Sequence, residues 1–477
     1  MSSTTKLSAR DRIATLLDDN SFVEVGALVT KRSTDFNLAQ TETPSDGVIT
    51  GYGMIDGSLV YVYSQDASVL NGTMGEMHAK KIASLYDLAL KVGAPVVALL
   101  DCAGMRLQEA TDALAGFGNV YLKQTMASGV IPQISVVFGT CGGGCAVSAA
   151  LSDFSFMAKE NSKLFVNSPN AIEGNFAGKC DSAAAKFQAE AGMVDVVKDS
   201  EEEVLASVRN LVSFLPSNNE NDFAMDCNDD LNRATPAFAD EFANACVALS
   251  DIADDGNFFE LKADFAPEMV TGFLRLNGMT VGAIANRSAL TDENGKKTKS
   301  FEKVLTTNGC NKAEQFVQFC DAFNIPVLTL TDVKGYAATL CEEKTIAKAA
   351  AKLTYAFANA NVPKVNLICG EAFGSSYITM NSKHVGADMV FALEDAKIGM
   401  MDAKLAAQIM YAGASETEQK EKAAEYDALQ SSAVAAAKRG YVDAIVAPDA
   451  VRQQLVYAFE MLSTKREARP SKKHGTI

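Results

Sequence analysis

The sequence predicts an α/β fold built twice over, each half a mixed, largely parallel sheet with helices packed outside. Three observations carry this. Pro95-Val96-Val97-Ala98-Leu99-Leu100-Asp101 runs into Cys102-Ala103-Gly104, and Pro326-Val327-Leu328-Thr329-Leu330-Thr331-Asp332 runs into Val333-Lys334-Gly335; the two prolines stand 231 residues apart. Pro132-Gln133-Ile134-Ser135-Val136-Val137-Phe138-Gly139 and Pro363-Lys364-Val365-Asn366-Leu367-Ile368-Cys369-Gly370 keep the same 231-residue spacing. Helical patterns alternate with these apolar runs, and βαβ alternation implies parallel strands covered on their faces.

The elements follow in order. Ile13, Leu16 and Leu17 fall at helical spacing after Arg10-Asp11-Arg12. Phe22-Val23-Glu24-Val25 alternates as a strand and recurs as Phe258-Phe259-Glu260-Leu261. Thr50-Gly51-Tyr52-Gly53 leads to the turn Asp56-Gly57, and Thr271-Gly272-Phe273-Leu274 leads to Asn277-Gly278, the two-residue hairpin signal. Thr50 and Thr271 are only 221 residues apart, so the first half carries an insertion around Lys31 to Gly47. A helix is expected over 79–92, with Ile82, Leu85, Ala89 and Val92 on one face. Its counterpart is expected over 312–323, with Phe316, Phe319, Cys320 and Phe323. The Asn- and Asp-rich stretch 216–235 lacks periodicity and reads as a linker between lobes 1–215 and 236–477. Residues 416–437 read as one helix rich in Ala, Glu and Lys, and the tail from Lys465 is basic.

Composition narrows the function. A chain of 477 residues suggests two or three domains, and the repeat argues for two. Apolar residues make up 48%, with no run of eighteen, so a normal buried core and no membrane span are expected. The N-terminus has no apolar leader pattern, and the ten cysteines form no small-domain framework; a reducing cytoplasm is the expected setting. The net charge of −16 disfavours nucleic acid. A phosphorylated ligand needs a local cationic rim, for which Lys80, Lys81 and Arg106 are candidates, a solvated face being the alternative for the lysine pair.

The strongest local motif is Gly139-Thr140-Cys141-Gly142-Gly143-Gly144-Cys145, after an apolar strand and before the small-residue helix 146–151. Glycines there let peptide N–H groups approach a ligand, to hold a phosphate or a developing oxyanion. A tight packing turn is the plain alternative. No Lys-Ser/Thr follows, so it is not a P-loop, and it is not a G-x-G-x-x-G fingerprint. Its companions are the Asp101-to-Arg106 loop, the Asp332-to-Tyr336 loop and Gly370-Glu371-Ala372-Phe373-Gly374-Ser375-Ser376-Tyr377. Neighbouring parallel strands end on one side of a sheet, so the two loops of each lobe converge into one amide-lined hole. Two lobes make two holes, which suits group transfer between two ligands. Only His78, His384 and His474 are present. A histidine metal site or a Ser-His-Asp triad is therefore not expected, and no G-x-S-x-G elbow appears. Cys102, Cys141 and Cys145 read as packing residues, with nucleophiles near a helix N-terminus as the alternative, and Asp101 and Asp332 as acceptors that order their loops rather than general bases.

At these residues the chain resembles the carboxyltransferase component of biotin-dependent acyl-CoA carboxylases and decarboxylases, of the propionyl-CoA carboxylase beta and methylmalonyl-CoA decarboxylase alpha kind. The likeness runs through Ala9 to Glu24, Ser64-Gln65-Asp66, Gly75 to Ile82, Asp87 to Val96, and Asp101 to Glu109 against D-S-G-G-A-R-I-Q-E. It continues through Gly129 to Gln133, Cys141 to Gly144, Phe319 to Pro326 and Ala372 to Tyr377. The resemblance implies two tandem crotonase-like lobes, the first holding an acyl-CoA thioester and the second biotin on a separate carrier. It implies a site between the first lobe of one subunit and the second lobe of another, hence a dimer at least and a hexamer in many members. The implied reaction moves CO2 between carboxybiotin and the carbon beside the thioester carbonyl. The enolate hole would be Ala103, Gly104, Gly143 and Gly144, with Lys80, Arg106 and Gly142 on the acyl-CoA. The biotin side would be Gly335, Tyr336, Gly374, Ser375 and Ser376. No metal is implied.

The chain departs from the family pattern after Gly335-Tyr336. Ala337-Ala338-Thr339-Leu340 stands where Pro-Gly is common, and Lys348 and Ala349 stand where Arg and His are common. Carboxylation and decarboxylation both remain open, with a biotin carboxylase or a membrane sodium-pump subunit as the respective partner and a cytoplasmic place, peripheral to a membrane complex in the latter case. A non-catalytic scaffold subunit and a hydratase or hydrolase using Glu109 are the competing readings.

Overall fold

The structure, a computed structural model, describes residues 6–176, 181–221, 224–292, 295–470 and 475. His474, Cys180 and the end of the basic tail lie outside the described residues, as do Asp222 and Phe223 of the expected linker. The chain divides into two compact units, Met1–Phe223 and Ala224–Ile477.

The first unit is built on an eight-stranded sheet: β1 (Val23–Val25), β2 (Val48–Ile55), β3 (Ser58–Gln65), β4 (Val96–Cys102), β5 (Gln133–Gly142), β6 (Phe154–Ala158), β7 (Lys163–Phe165) and β8 (Val196–Lys198). The order is β1-β2-β3-β4-β5-β6-β8, with β7 also on β5. β1–β2 and β2–β3 are antiparallel; every later pair is parallel.

The second unit holds β9 (Phe258–Leu261), β10 (Met269–Leu276), β11 (Met279–Asn286), the hairpin of β12 (Ala289–Thr291) and β13 (Lys297–Ser300), and the two-residue β14 (Val304–Leu305). It continues with β15 (Val327–Val333), β16 (Gly335–Tyr336), β17 (Lys364–Phe373), β18 (Met389–Leu393), β19 (Lys397–Gly399) and β20 (Ala444–Val446). Its main sheet runs β20-β18-β17-β15-β11-β10-β9, with β19 on β17, and repeats the first unit's pattern of two antiparallel and five parallel pairings. Central strands β4 and β15 are buried along their whole length, as helices on both faces require; the two threonines of β15, Thr329 and Thr331, satisfy their hydroxyls on Asn366 Oδ1.

The helix expected over 79–92 begins earlier and runs Glu76–Val92; Ile82, Leu85 and Ala89 are buried, whereas Val92, at the last turn before Gly93, is 55% exposed. The helix expected over 416–437 is broken: it runs Glu416–Tyr426, passes through a widened turn at 427–431, and restarts as Ala433–Lys438 with Ser432 as its cap. The stretch expected as a linker is tied down on both sides of its middle. Asn218 Nδ2 donates to the Gly93 carbonyl and the Asn219 N–H to that of Val130. Met225 N–H donates to the Gly278 carbonyl, and Arg233 holds Asp229 and the carbonyls of Asp251 and Ala253. Among the described residues no helix is long and apolar enough to cross a membrane.

Candidate active site

Each unit places its loops by the same device. β5 does not stop at Gly139: pairing of Thr140, Cys141 and Gly142 with β7 carries the strand through Gly142. β17 is carried past Gly370 to Phe373 in the same way by β19. Much of the glycine segment expected as a loop is therefore strand, because a second short parallel partner takes over where β6 and β18 end. Asp101 at the end of β4 accepts the Thr140 N–H, and Asp332 at the end of β15 accepts the Glu371 N–H. Gly139 and Gly370 leave room for these carboxylates: a Cβ would lie 1.9 Å from Asp101 Oδ1 and 2.4 Å from Asp332 Oδ1. A cation neutralises each acid, Lys6 and Arg12 at Asp101 and Lys303 at Asp332. Buried lysines repeat as well. Lys81 Nζ caps the Ser45 and Val48 carbonyls, and Lys312 Nζ those of Lys262 and Phe265. Burial pushes these ammonium groups down to about 8 and about 7.

In the first unit, Gly104 (φ +120°) is fixed by the Met74 N–H, which donates to its carbonyl at 2.9 Å, and by the Arg106 N–H, which returns to the Met74 carbonyl at 3.0 Å. Gly143 turns the chain at φ +58° and ψ −123°, a conformation a side chain disfavours. Gly144 then opens the helix Gly144–Ala150, so its N–H has no acceptor within the helix. Two of the four amides expected in the enolate hole are already spent: Ala103 N–H donates to the Asn71 carbonyl at 3.2 Å, and Gly143 N–H to that of Phe165 at 2.9 Å. The Gly104 N–H meets only the soft Cys102 Sγ at 3.4 Å. Gly104 and Gly144 thus remain the better donors.

Arg106 is corrected more sharply. Expected on a cationic rim, it is 1% exposed and pairs at 2.7 Å with both Asp46 and Glu109. The insertion 31–47 supplies Asp46, whose partner role its turn-like setting in the sequence did not reveal. Glu109 also accepts the Glu76 N–H, closing the N-terminus of the helix Glu76–Val92. It is therefore not the free acid that a hydratase reading needs. Lys80 is exposed, while Lys81 is buried. Gly142 is buried, with the Phe165 ring 3.0 Å from where a Cβ would sit. A hydrogen bond to Cys145, then burial, pushes the Cys102 thiol well above its ordinary range, which leaves it no nucleophilic thiolate. The nine described cysteines are unpaired.

In the second unit, a Cβ on Gly335 would meet nothing within 4 Å. Gly374 adopts φ +63° and begins the helix Gly374–Thr379; Ser375 is exposed. At the 231-residue spacing, Gly335 matches Gly104, Gly374 matches Gly143, and Ser375 matches Gly144. Ser376 is 1% exposed and its hydroxyl donates to the Phe373 carbonyl, so it serves its own turn rather than a ligand. The Tyr336 hydroxyl lies 3.1 Å from Thr379 Oγ1. Gly374 and Ser375 border a cavity of about 400 Å³ whose walls include Tyr377, His384, Gly399, Arg439 and Tyr441. Burial pushes the Tyr377 phenol up to about 12, and its hydroxyl finds no hydrogen-bond partner among the described residues. The departures past Gly335 are structural in part: Ala349 lies 3% exposed on the inner face of the helix Ile346–Asn359, and Lys348 is exposed.

Peptide N–H groups set at strand ends, without a free side-chain base among them, can stabilise negative oxygen. His78 is buried with both ring nitrogens engaged, and His384 packs its ring 4.9 Å from that of Tyr441. Among the described residues no cluster of metal-binding side chains occurs.

A family model for the carboxyl transferase domain matches residues 2–477. The methylmalonyl-CoA decarboxylase subunit alpha of Propionigenium modestum is 39% identical over 492 residues, which span 99% of this chain and 93% of that protein. The propionyl-CoA carboxylase beta chain of Roseobacter denitrificans is 38% identical, with 99% and 94% covered. A crystal structure of transcarboxylase 12S, a hexamer assembly with hydrolysed methylmalonyl-coenzyme A bound, matches with a TM-score of 0.92 at 34% identity, covering 99% of this chain and 93% of that one.

Proposed function

We propose, from the premise that this chain belongs to the carboxyl transferase domain family and has its two-lobed crotonase-like fold, that it moves a carboxyl group between an acyl-CoA thioester and biotin on a separate carrier protein. The observation that carries this is the doubled loop geometry. Gly104, Gly143 and Gly144 recur as Gly335, Gly374 and Ser375, on sheets of one topology. A single ligand needs one such hole; a transfer between two ligands needs two.

In this reading the first unit takes the thioester. Forming or breaking the bond beside its carbonyl puts negative charge on the thioester oxygen, and the N–H groups of Gly104 and Gly144 stabilise it. One such donor is worth about 2.7–4 kcal/mol. Lys80 lies free to meet the coenzyme's phosphates. The second unit takes the ureido ring. The open space over Gly335 and the cavity beside Gly374 and Ser375 fit a compact ring with one polar oxygen, which the Ser375 amide would receive. Biotin, when delivered, supplies a nitrogen that exchanges carboxyl for proton, gaining a proton as it gives the carboxyl group and releasing one as it takes it. The protein then needs no side-chain base, which agrees with the commitment of His78 and Glu109 elsewhere. Holding both ligands in register adds the proximity contribution.

The working unit we propose is a homo-oligomer, in which one protomer's first unit faces a partner's second. A biotin carboxylase or a membrane decarboxylase subunit would complete the complex in a cytoplasmic setting. Purified protein incubated with free biotin and malonyl-CoA, methylmalonyl-CoA or glutaconyl-CoA should release CO2 from one of them in a biotin-dependent way. Absence of turnover with all three, together with failure to retain a biotinylated carrier, would point to the scaffold reading, which the departures at 337–340 and 348–349 motivate.

A further inference from the structure

We propose that Tyr336 is a positioning residue: through Thr379 and Thr354 its hydroxyl anchors the Gly335 segment to the helix that begins at Gly374. The inference rests on the carboxyltransferase reading for its consequence and on hydrogen-bond geometry for its form. Thr354 Oγ1 donates to the Ala350 carbonyl at 2.8 Å, since a carbonyl only accepts. The 3.2 Å contact between Thr354 and Thr379 is then donated by Thr379, and the 3.1 Å contact between Thr379 and Tyr336 is donated by Tyr336. The chain of three hydroxyls therefore runs one way, from the loop into the helix Ile346–Asn359. Tyr336 spends its proton inward and keeps only acceptor capacity toward a ligand.

A comparison of the two units shows why such an anchor is needed. The equivalent loop in the first unit is held by Arg106, clamped between Asp46 and Glu109 and donating to the Thr73 carbonyl at 2.9 Å. At the 231-residue spacing Arg106 becomes Ala337, which has no charge to clamp, and Met105 becomes Tyr336. Backbone bonds serve the two segments alike, Met74 bridging Met105 in the first unit and β14 pairing with β16 in the second, where the Lys334 and Ala337 N–H groups donate to the Lys303 and Leu305 carbonyls, so the units differ in the side chains that anchor them. The hydroxyl chain takes over the task that an ion pair performs in the first unit.

The test compares Tyr336→Phe, Thr379→Val and Thr379→Ser with wild type. Biotin-dependent CO2 release is measured while free biotin and the thioester that supports wild-type turnover are varied in turn, alongside melting temperature. Loss of one neutral hydrogen bond corresponds to roughly a 2- to 12-fold change. The expected result is a fall of that size in kcat/KM for biotin in Tyr336→Phe and Thr379→Val, with KM for the thioester unchanged and Thr379→Ser close to wild type. Unchanged biotin kinetics in an active enzyme overturn the proposal alone. So does an equal loss for both substrates accompanied by a lower melting temperature, since that marks a merely structural role. A wild type without biotin-dependent turnover overturns the carboxyltransferase reading, and this proposal with it.

Discussion

Acidification from pH 7 to pH 5 should weaken the first unit through His78. This ring is fully buried between Asp46 and Gln65. Its Nδ1–H donates to the Asp46 carbonyl at 3.0 Å, so Nε2 accepts the Gln65 amide proton at 3.2 Å. Gln65 cannot turn its oxygen toward a second ring proton without losing the Asp101 N–H, which that oxygen accepts at 3.2 Å. Burial first, then the Arg106 charge, pushes the imidazole down from 6.5 to about 3. The unfolded chain takes up the proton near 6.5, whereas the folded chain resists until about 3. Stability from this group is therefore full above pH 6.5 and is lost progressively as pH falls toward 3. One pH unit is worth about 1.36 kcal/mol, so the loss at pH 5 is about 2 kcal/mol. Hydrogen exchange of β4 peptides at pH 7 and 5, corrected for intrinsic rates, should show that loss in wild type and not in His78→Gln. Equal losses in the two proteins would refute the reasoning.

Gly143→Val places its Cβ where no atom lies within 4 Å, but at φ +58°. It should cost roughly 1–3 kcal/mol in denaturant unfolding and slow transfer by roughly ten-fold or more by crowding the oxygen that Gly144 receives; a variant at full rate would place the thioester elsewhere. Gly139→Ala and Gly370→Ala should both lower the melting temperature, because each Cβ collides with the Asp101 or Asp332 carboxylate; unaltered melting curves would contradict the paired acid anchors. Lys80→Glu should raise KM for a CoA thioester at low salt and leave KM for a pantetheine thioester, which lacks the nucleotide phosphates, unchanged; an equal effect on both would remove Lys80 from the phosphate rim.

The repeat itself was legible in the chain. Strand cores such as 95–101 and 326–332 are largely apolar runs opened by a proline and closed by an acid before a glycine loop, and their constant spacing exposes the duplication without any coordinates. The glycine positions of the candidate holes were legible for the same reason, because a backbone that must bend or be approached closely leaves glycine in the sequence. Which amides are free was not. Ala103 and Gly143 look like donors until Asn71 and Phe165, brought up by folding, take their protons. Arg106 looks like a ligand-facing cation until Asp46, sixty residues earlier, neutralises it. The helix over 416–437 broke at Ser432, where high local helix propensity did not decide the outcome. Residue type and periodicity report what a segment prefers by itself. Hydrogen-bond partners and burial depend on groups far apart in sequence, and these the tertiary structure alone assigned.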